Sequence, residues 1–189
     1  MAMTSAAEIN ATLIRYEQRL AALRRQVIGD VDALDRAGVV AADCAARVTG
    51  AAGELTAARG ELAASWAAPS GEAFQTRSEP LPAGIAATGR LLTSLATGLR
   101  ELGLILKQTQ DRVGAVGREF AAWASRTRTL LPQGVPIPDP VLQEVDRAGA
   151  AYVEVAEAVA RRLDLALEQF SAGTEPLVRE LAAAPRVTP

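Results

Sequence analysis

Histidine is absent from this chain of 189 residues, and cysteine occurs once, at Cys44. The first absence removes the commonest general base and the commonest zinc ligand. The second excludes an intramolecular disulfide and a thiolate metal site, and it leaves the redox compartment open. A di-iron helical bundle needs Glu-x-x-His motifs, which this composition cannot supply. Aromatic residues make up 4% of the chain, too few for a broad aromatic core. No stretch approaches the ~18–20 apolar residues that a membrane span needs. The opening Met1-Ala2-Met3-Thr4-Ser5-Ala6-Ala7-Glu8 has no charged segment followed by an apolar run, so no Sec signal is expected. A basic block is missing as well. The net charge is −2 with both signs interleaved, which reads as a solvated helix surface and not as a track for nucleic acid. No Gly-rich loop follows a strand, because period-two alternation is missing. The carboxylate pairs Asp32/Asp35 and Glu54/Glu61 fall at helical spacing and read as solvated helix faces. The expectation is a protein that is not an enzyme, carries no metal or cofactor, and acts through protein contact.

What is present is alanine, about one-fifth of the chain, and apolar residues in steps of three and four. From Ile9 through Leu13, Tyr16, Leu20, Leu23, Val27, Val31 and Leu34 the steps continue to Leu62 and Trp66. That is an apolar seam on a helix. It predicts one helix of about 60 residues, roughly 90 Å long, with a weak point near Gly50–Gly53. A second seam runs from Ile85 to Leu130 without a miss. Pro80 and Pro82 just upstream are expected to kink the chain before that helix starts, and Ser70 to cap a short helical turn over 70–79. Residues 132–140 carry four prolines and predict a stiff extended connector. A third seam begins at Val141 and includes Val145, Tyr152, Val155, Leu163 and Phe170, with Pro176 ending or kinking it. The expected fold is all-α. It comprises an elongated antiparallel hairpin over 1–131 with its turn at 66–82, a connector at 132–140, a third helix over 141–183 returning along the hairpin, and a frayed tail over 184–189.

The break between the first two helices is Ser65-Trp66-Ala67-Ala68-Pro69-Ser70-Gly71-Glu72-Ala73-Phe74. No proline precedes Pro69, and none lies between Ala83 and Leu131. Trp66, Ala67 and Ala68, followed by Glu72, Ala73 and Phe74, resemble the Trp-x-Gly turn of the WXG superfamily. Those are small helical-hairpin proteins of type VII (ESX) secretion in actinobacteria and related organisms. Where the family has Gly this chain has Ala68, still small enough for close helix approach. The length is similar to that of the longer PPE-type helical domains, without their Pro-Pro-Glu opening. Nineteen Arg against one Lys fits a GC-rich genome of that kind. The resemblance implies an interaction site at Trp66, Ala68 and Phe74. Its implied partners are a small WXG- or PE-like helical protein, a second copy of the chain, and the ESX export ATPase. It also implies a cytoplasmic protein exported by the type VII route to the cell surface or medium. The family's Tyr-x-x-x-Asp/Glu signal is missing. Leu20 stands four residues after Tyr16, and Ala156 four after Tyr152. A partner supplies the signal, or the chain is a cytosolic adaptor or chaperone for another substrate. An unrelated coiled-coil scaffold is the remaining reading.

Trp66 itself has two compatible roles, a core aromatic closing the hairpin end and a half-exposed anchor. Phe120, Trp123 and Tyr152 fall on seams and are expected to pack, and Cys44 is expected to be a buried small hydrophobe. Counted from the turn, 66 faces roughly 83, so 27 faces about 122. Counted from the connector, 131 faces roughly 141, so 120 faces about 152. One aromatic slab with Val27, Leu23, Phe120, Trp123 and Tyr152 follows, with Ile9 and Leu13 covering Val135 and Ile137.

Overall fold

The computed structural model describes residues 3–66, 68–132 and 134–183. The elements are β1 (Met3–Thr4), α1 (Ala6–Gln26), α2 (Val31–Ser65), α3 (Pro69–Ser78), α4 (Pro80–Leu130), β2 (Ile137–Pro138) and α5 (Asp139–Ala183). The fold is all-α, a bundle of long helices, with one two-residue strand pair among the described residues. The expected frayed tail over 184–189 lies outside the described residues. The chain divides into two units. The first comprises residues 1–30 and 104–167, the second 31–103 and 168–189.

In the first unit α1 begins with a capping box. Ser5 Oγ accepts from the Glu8 amide at 3.2 Å, and the Glu8 carboxylate accepts from the Ser5 amide at 2.7 Å. The Ser5 amide, the Thr4 hydroxyl and the Ser5 hydroxyl all donate to the Glu8 carboxylate and hold it below the usual carboxylate range. The two bonds of the capping box satisfy the Ser5 and Glu8 amides, which the start of a helix leaves orphaned. The Pro-rich connector does not stay free over its whole length. Ile137 and Pro138 pair antiparallel with Thr4 and Met3, and α5 starts at Asp139, two residues before its expected start. Ile137 is buried with Ile9 and Leu13, as the seam implied, while Val135 is 56% exposed.

The core of this unit is an aromatic slab. Phe120 is fully buried, with the Tyr152, Trp123 and Tyr16 rings 5.4, 5.6 and 6.3 Å from its own. The Phe120–Tyr152 contact agrees with the count from the connector. Tyr16 joins the slab unforeseen, and Val27 does not belong to it. Tyr16 fits because residue 149 is glycine. A Cβ there would stand 2.2 Å from the Tyr16 ring. The Tyr16 hydroxyl donates to Asp146 at 2.8 Å, and Arg15 reaches the same carboxylate at 2.6 Å. Burial first, then the Asp146 carboxylate, raises the Tyr16 pKa. Arg128 on α4 binds both Glu17 oxygens at 2.9 Å and Asn10 at 2.8 Å, which ties α4 to α1, and the Glu17 carboxylate raises the Arg128 pKa.

The single 60-residue first helix is a sequence expectation that the structure corrects. The helix stops at Gln26 and α2 begins at Val31. The Val27 amide donates back to the Leu23 carbonyl, and the Gln110 side chain donates to the carbonyls of Val27 and Gly29 at 3.1 and 3.0 Å. Two carbonyls freed by the break thus find a partner. Gly50 and Gly53, the expected weak point, lie inside an unbroken α2.

The second unit is thinner in side chains. Gly38, Ala41, Ala45 and Ala52 form the buried line of α2, and Ala96 and Leu91 face inward from α4. A Cβ on Gly38 would meet the Ala96 carbonyl oxygen at 3.3 Å, so α2 and α4 approach closely there. Phe170 of α5 lies over Gly98, 2.9 Å from where a Cβ would be. Cys44 is exposed and not buried. It stands one place off the line through Ala41 and Ala45. Pro176 does not end α5, which continues to Ala183. Among the described residues no helix is long and apolar enough to cross a membrane.

Candidate interaction site at the hairpin turn

The turn is three residues long, 66–68, not seventeen. The Trp66 amide still donates to the Leu62 carbonyl at 2.9 Å, as the last bond of α2. Ala68 is the N-cap of α3 in extended conformation (φ −104, ψ 156), and Pro69 occupies the first helical position. Proline suits that position because its missing N–H would have no helical acceptor. The amides of Gly71 and Glu72 both donate to the Ala68 carbonyl, at 2.8 and 3.1 Å. Ser70, expected as the cap, is inside the helix, and Ala68 caps without a side-chain bond. Ala67 lies outside the described residues.

Pro80 and Pro82 lie inside the main helix and not upstream of it, and a single residue, Glu79, separates that helix from α3. They form its first turn, where prolines cost no hydrogen bond. Glu79, between α3 and α4, is itself helical at φ −53, ψ −43. The return limb therefore starts at Pro69. Counting it from residue 83 put the register about twelve residues out: Val27 sits beside Gln110, not beside residue 122.

Ala68 needs no positive φ, and among the described residues only Gly134 has one. The glycine that the turn requires is Gly71. A Cβ there would stand 2.5 Å from the Trp66 carbonyl oxygen and 3.1 Å from Trp66 Cγ. Gly71 is buried and lets the first turn of α3 close onto the Trp66 backbone. Trp66 and Phe74 lie together, ring centres 6.2 Å apart and tilted by 32°. Trp66 is 40% exposed and Phe74 43%. The structure thus brings all three expected residues to one turn and leaves the two rings open to solvent.

Residues that the sequence did not single out tie α2 to α3 beside this turn. Arg59 on α2 donates through Nε to Ser78 Oγ and through Nη2 to the Gln75 carbonyl, both at 2.8 Å. Gln75 returns a bond to the Arg59 carbonyl at 3.1 Å. Ser78 is buried. Three bonds from α2 to α3 fix the plane on which Trp66 and Phe74 sit. Only the unusual burial of Ser78 would have revealed them, and burial on a polar helix face is not written in the local pattern. Nor do the described residues contain a cluster of His, Cys, Asp or Glu that could hold a metal ion. The site's chemistry is apolar and aromatic.

No family model matches this chain, and comparison with known proteins and with solved structures finds no match.

Proposed function

We propose that this chain is a WXG-like, type VII secretion-associated helical protein that works by protein–protein contact, as an exported substrate or as the partner of one. The observation that carries the reading is the half-exposed Trp66–Phe74 pair on a three-residue turn braced by Arg59. Exposed aromatic rings on a preorganised backbone are what binding hot spots use, because little ordering entropy remains to be lost. The pair is the surface that a small WXG- or PE-like helical protein, or the ESX export ATPase, engages. The missing Tyr-x-x-x-Asp/Glu signal favours a second reading, a cytosolic adaptor for another type VII substrate. Fractionation of producing cells separates the two. A substrate appears in the culture filtrate and depends on the secretion ATPase, whereas an adaptor stays in the cytoplasm bound to its client. Equal distribution in cells with and without a functional type VII system contradicts both.

A further inference from the structure

Within the first unit, α5 carries a second row of side chains that its own core does not use. The row starts at Val141 and steps by three or four to Leu165, passing Glu144, Val155 and Arg162. Val141, Val155 and Leu165 are 38%, 44% and 54% exposed. Between them stand Ala148, Ala151 and Ala158. The core-facing residues Val145, Val153, Ala156 and Leu163 are separate and buried.

We propose that this row pairs with the same row of a second copy, antiparallel, about a twofold axis level with residue 153. Run in opposite directions, the two rows match layer by layer. Val141 meets Leu165 of the second copy, Glu144 meets Arg162, Ala148 meets Ala158, and Ala151 meets Val155. The apolar layers bury exposed surface. The alanines at the centre let the axes approach to the short end of the ~8–10 Å range of helix packing. The one charged layer is complementary and occurs twice, once at each end, as a twofold contact requires. A parallel pairing would instead set Glu144 on Glu144 and Arg162 on Arg162, which selects the antiparallel arrangement. Both charges are available. Arg162 takes part in none of the ion pairs among the described residues. Among the described residues Glu144 pairs with Arg147 alone, on its own helix, with the side chains 66% and 75% exposed, an association of little worth in water. The acidic residues on the other side of α5, Asp146 and Glu157, are taken by Arg15 and Arg19 of α1.

The test is sedimentation equilibrium of the full chain, whose monomer is 19.7 kDa. The wild type is expected to reach twice that mass as concentration rises. Val155→Glu, and Glu144→Arg alone, weaken association by roughly tenfold or more through a buried or like-charged layer. The reversal Glu144→Arg with Arg162→Glu restores it. In a Cys44→Ser background, Ala151→Cys with Val155→Cys oxidises to a covalent dimer. Far-UV circular dichroism of each variant checks that the helices remain. A wild type that stays monomeric, a dimer indifferent to Val155→Glu, or a charge reversal that fails to rescue overturns the proposal. None of these readouts involves Trp66, so the reading of the turn stands or falls separately.

Discussion

At the scale of single residues, the turn separates two glycine requirements that a motif match merges. Ala68 sits in extended backbone that any residue adopts, whereas Gly71 is pressed against the Trp66 carbonyl. Ala68→Gly should therefore cost ~0.5–1 kcal/mol, the entropy of a freer unfolded chain, with no gain in the fold. Gly71→Ala should cost ~1–3 kcal/mol because backbone has to move. Urea denaturation of both variants checks this; a stabilised Ala68→Gly would show that the turn wants a glycine there after all. Tyr16 offers a second check. Its folded pKa is raised above the ordinary 10.0 by burial and by Asp146. The fold holds the phenol protonated where the unfolded chain has ionised. That contribution is full below about pH 10 and is lost as pH rises through the folded value. Tyr16→Phe should cost ~0.5–1.5 kcal/mol at neutral pH and flatten the alkaline limb of the stability curve. An unchanged alkaline limb would mean that Tyr16 does not titrate with folding. Gly149→Val, which drives a side chain into the same ring, should be worse than either.

At the scale of elements, the helical character of the long segments could be read from steps of three and four, although α1 and α2 read as one helix. Their ends could not. The break at 27–30 is invisible because Val27, Val31 and Leu34 keep the seam in step across it, and it is held by Gln110, a residue some eighty positions away. The opposite error arose at Pro80 and Pro82. Proline breaks a helix interior but opens a helix start, and the sequence alone did not say which of the two these were. Leaving α3 out of the return limb shifts the register of the first pairing, while the count from the connector, free of that error, places Phe120 on Tyr152 correctly. Phe120→Ala should cost ~3–5 kcal/mol, well above the half-buried Leu99→Ala. Similar losses for the two would contradict the slab as the main store of stability. At the start of α1, the Glu8 carboxyl is held below its ordinary 4.5 by the Ser5 amide and hydroxyl and by Thr4. The cap is therefore in place above that value and is lost as pH falls through the folded pKa. Amide exchange in the first turn of α1 should accelerate in acid before that of its middle does. Simultaneous loss would show that the box does not act locally.

At the scale of the whole molecule, the all-α fold was legible, and so was the break at which Trp66, Ala68 and Phe74 meet. What was not legible is the bracing. Arg59, Gln75 and Ser78 are ordinary polar residues of a solvated helix until α3 folds back beside α2. Their bonds turn an aromatic-flanked break into a fixed platform, and the functional reading rests on that platform. The most direct measurement is a binding titration of the purified full chain against the type VII export ATPase and against a co-produced small helical partner. It compares the wild type with Trp66→Ala and Phe74→Ala. Because both rings are 40% exposed or more, each truncation should cost well under the ~3–5 kcal/mol of a fully buried aromatic. Binding should nevertheless fall about thirtyfold or more, the ~2 kcal/mol of a hot spot. Variants that bind like the wild type would contradict the account, as would variants that lose stability and binding in equal measure.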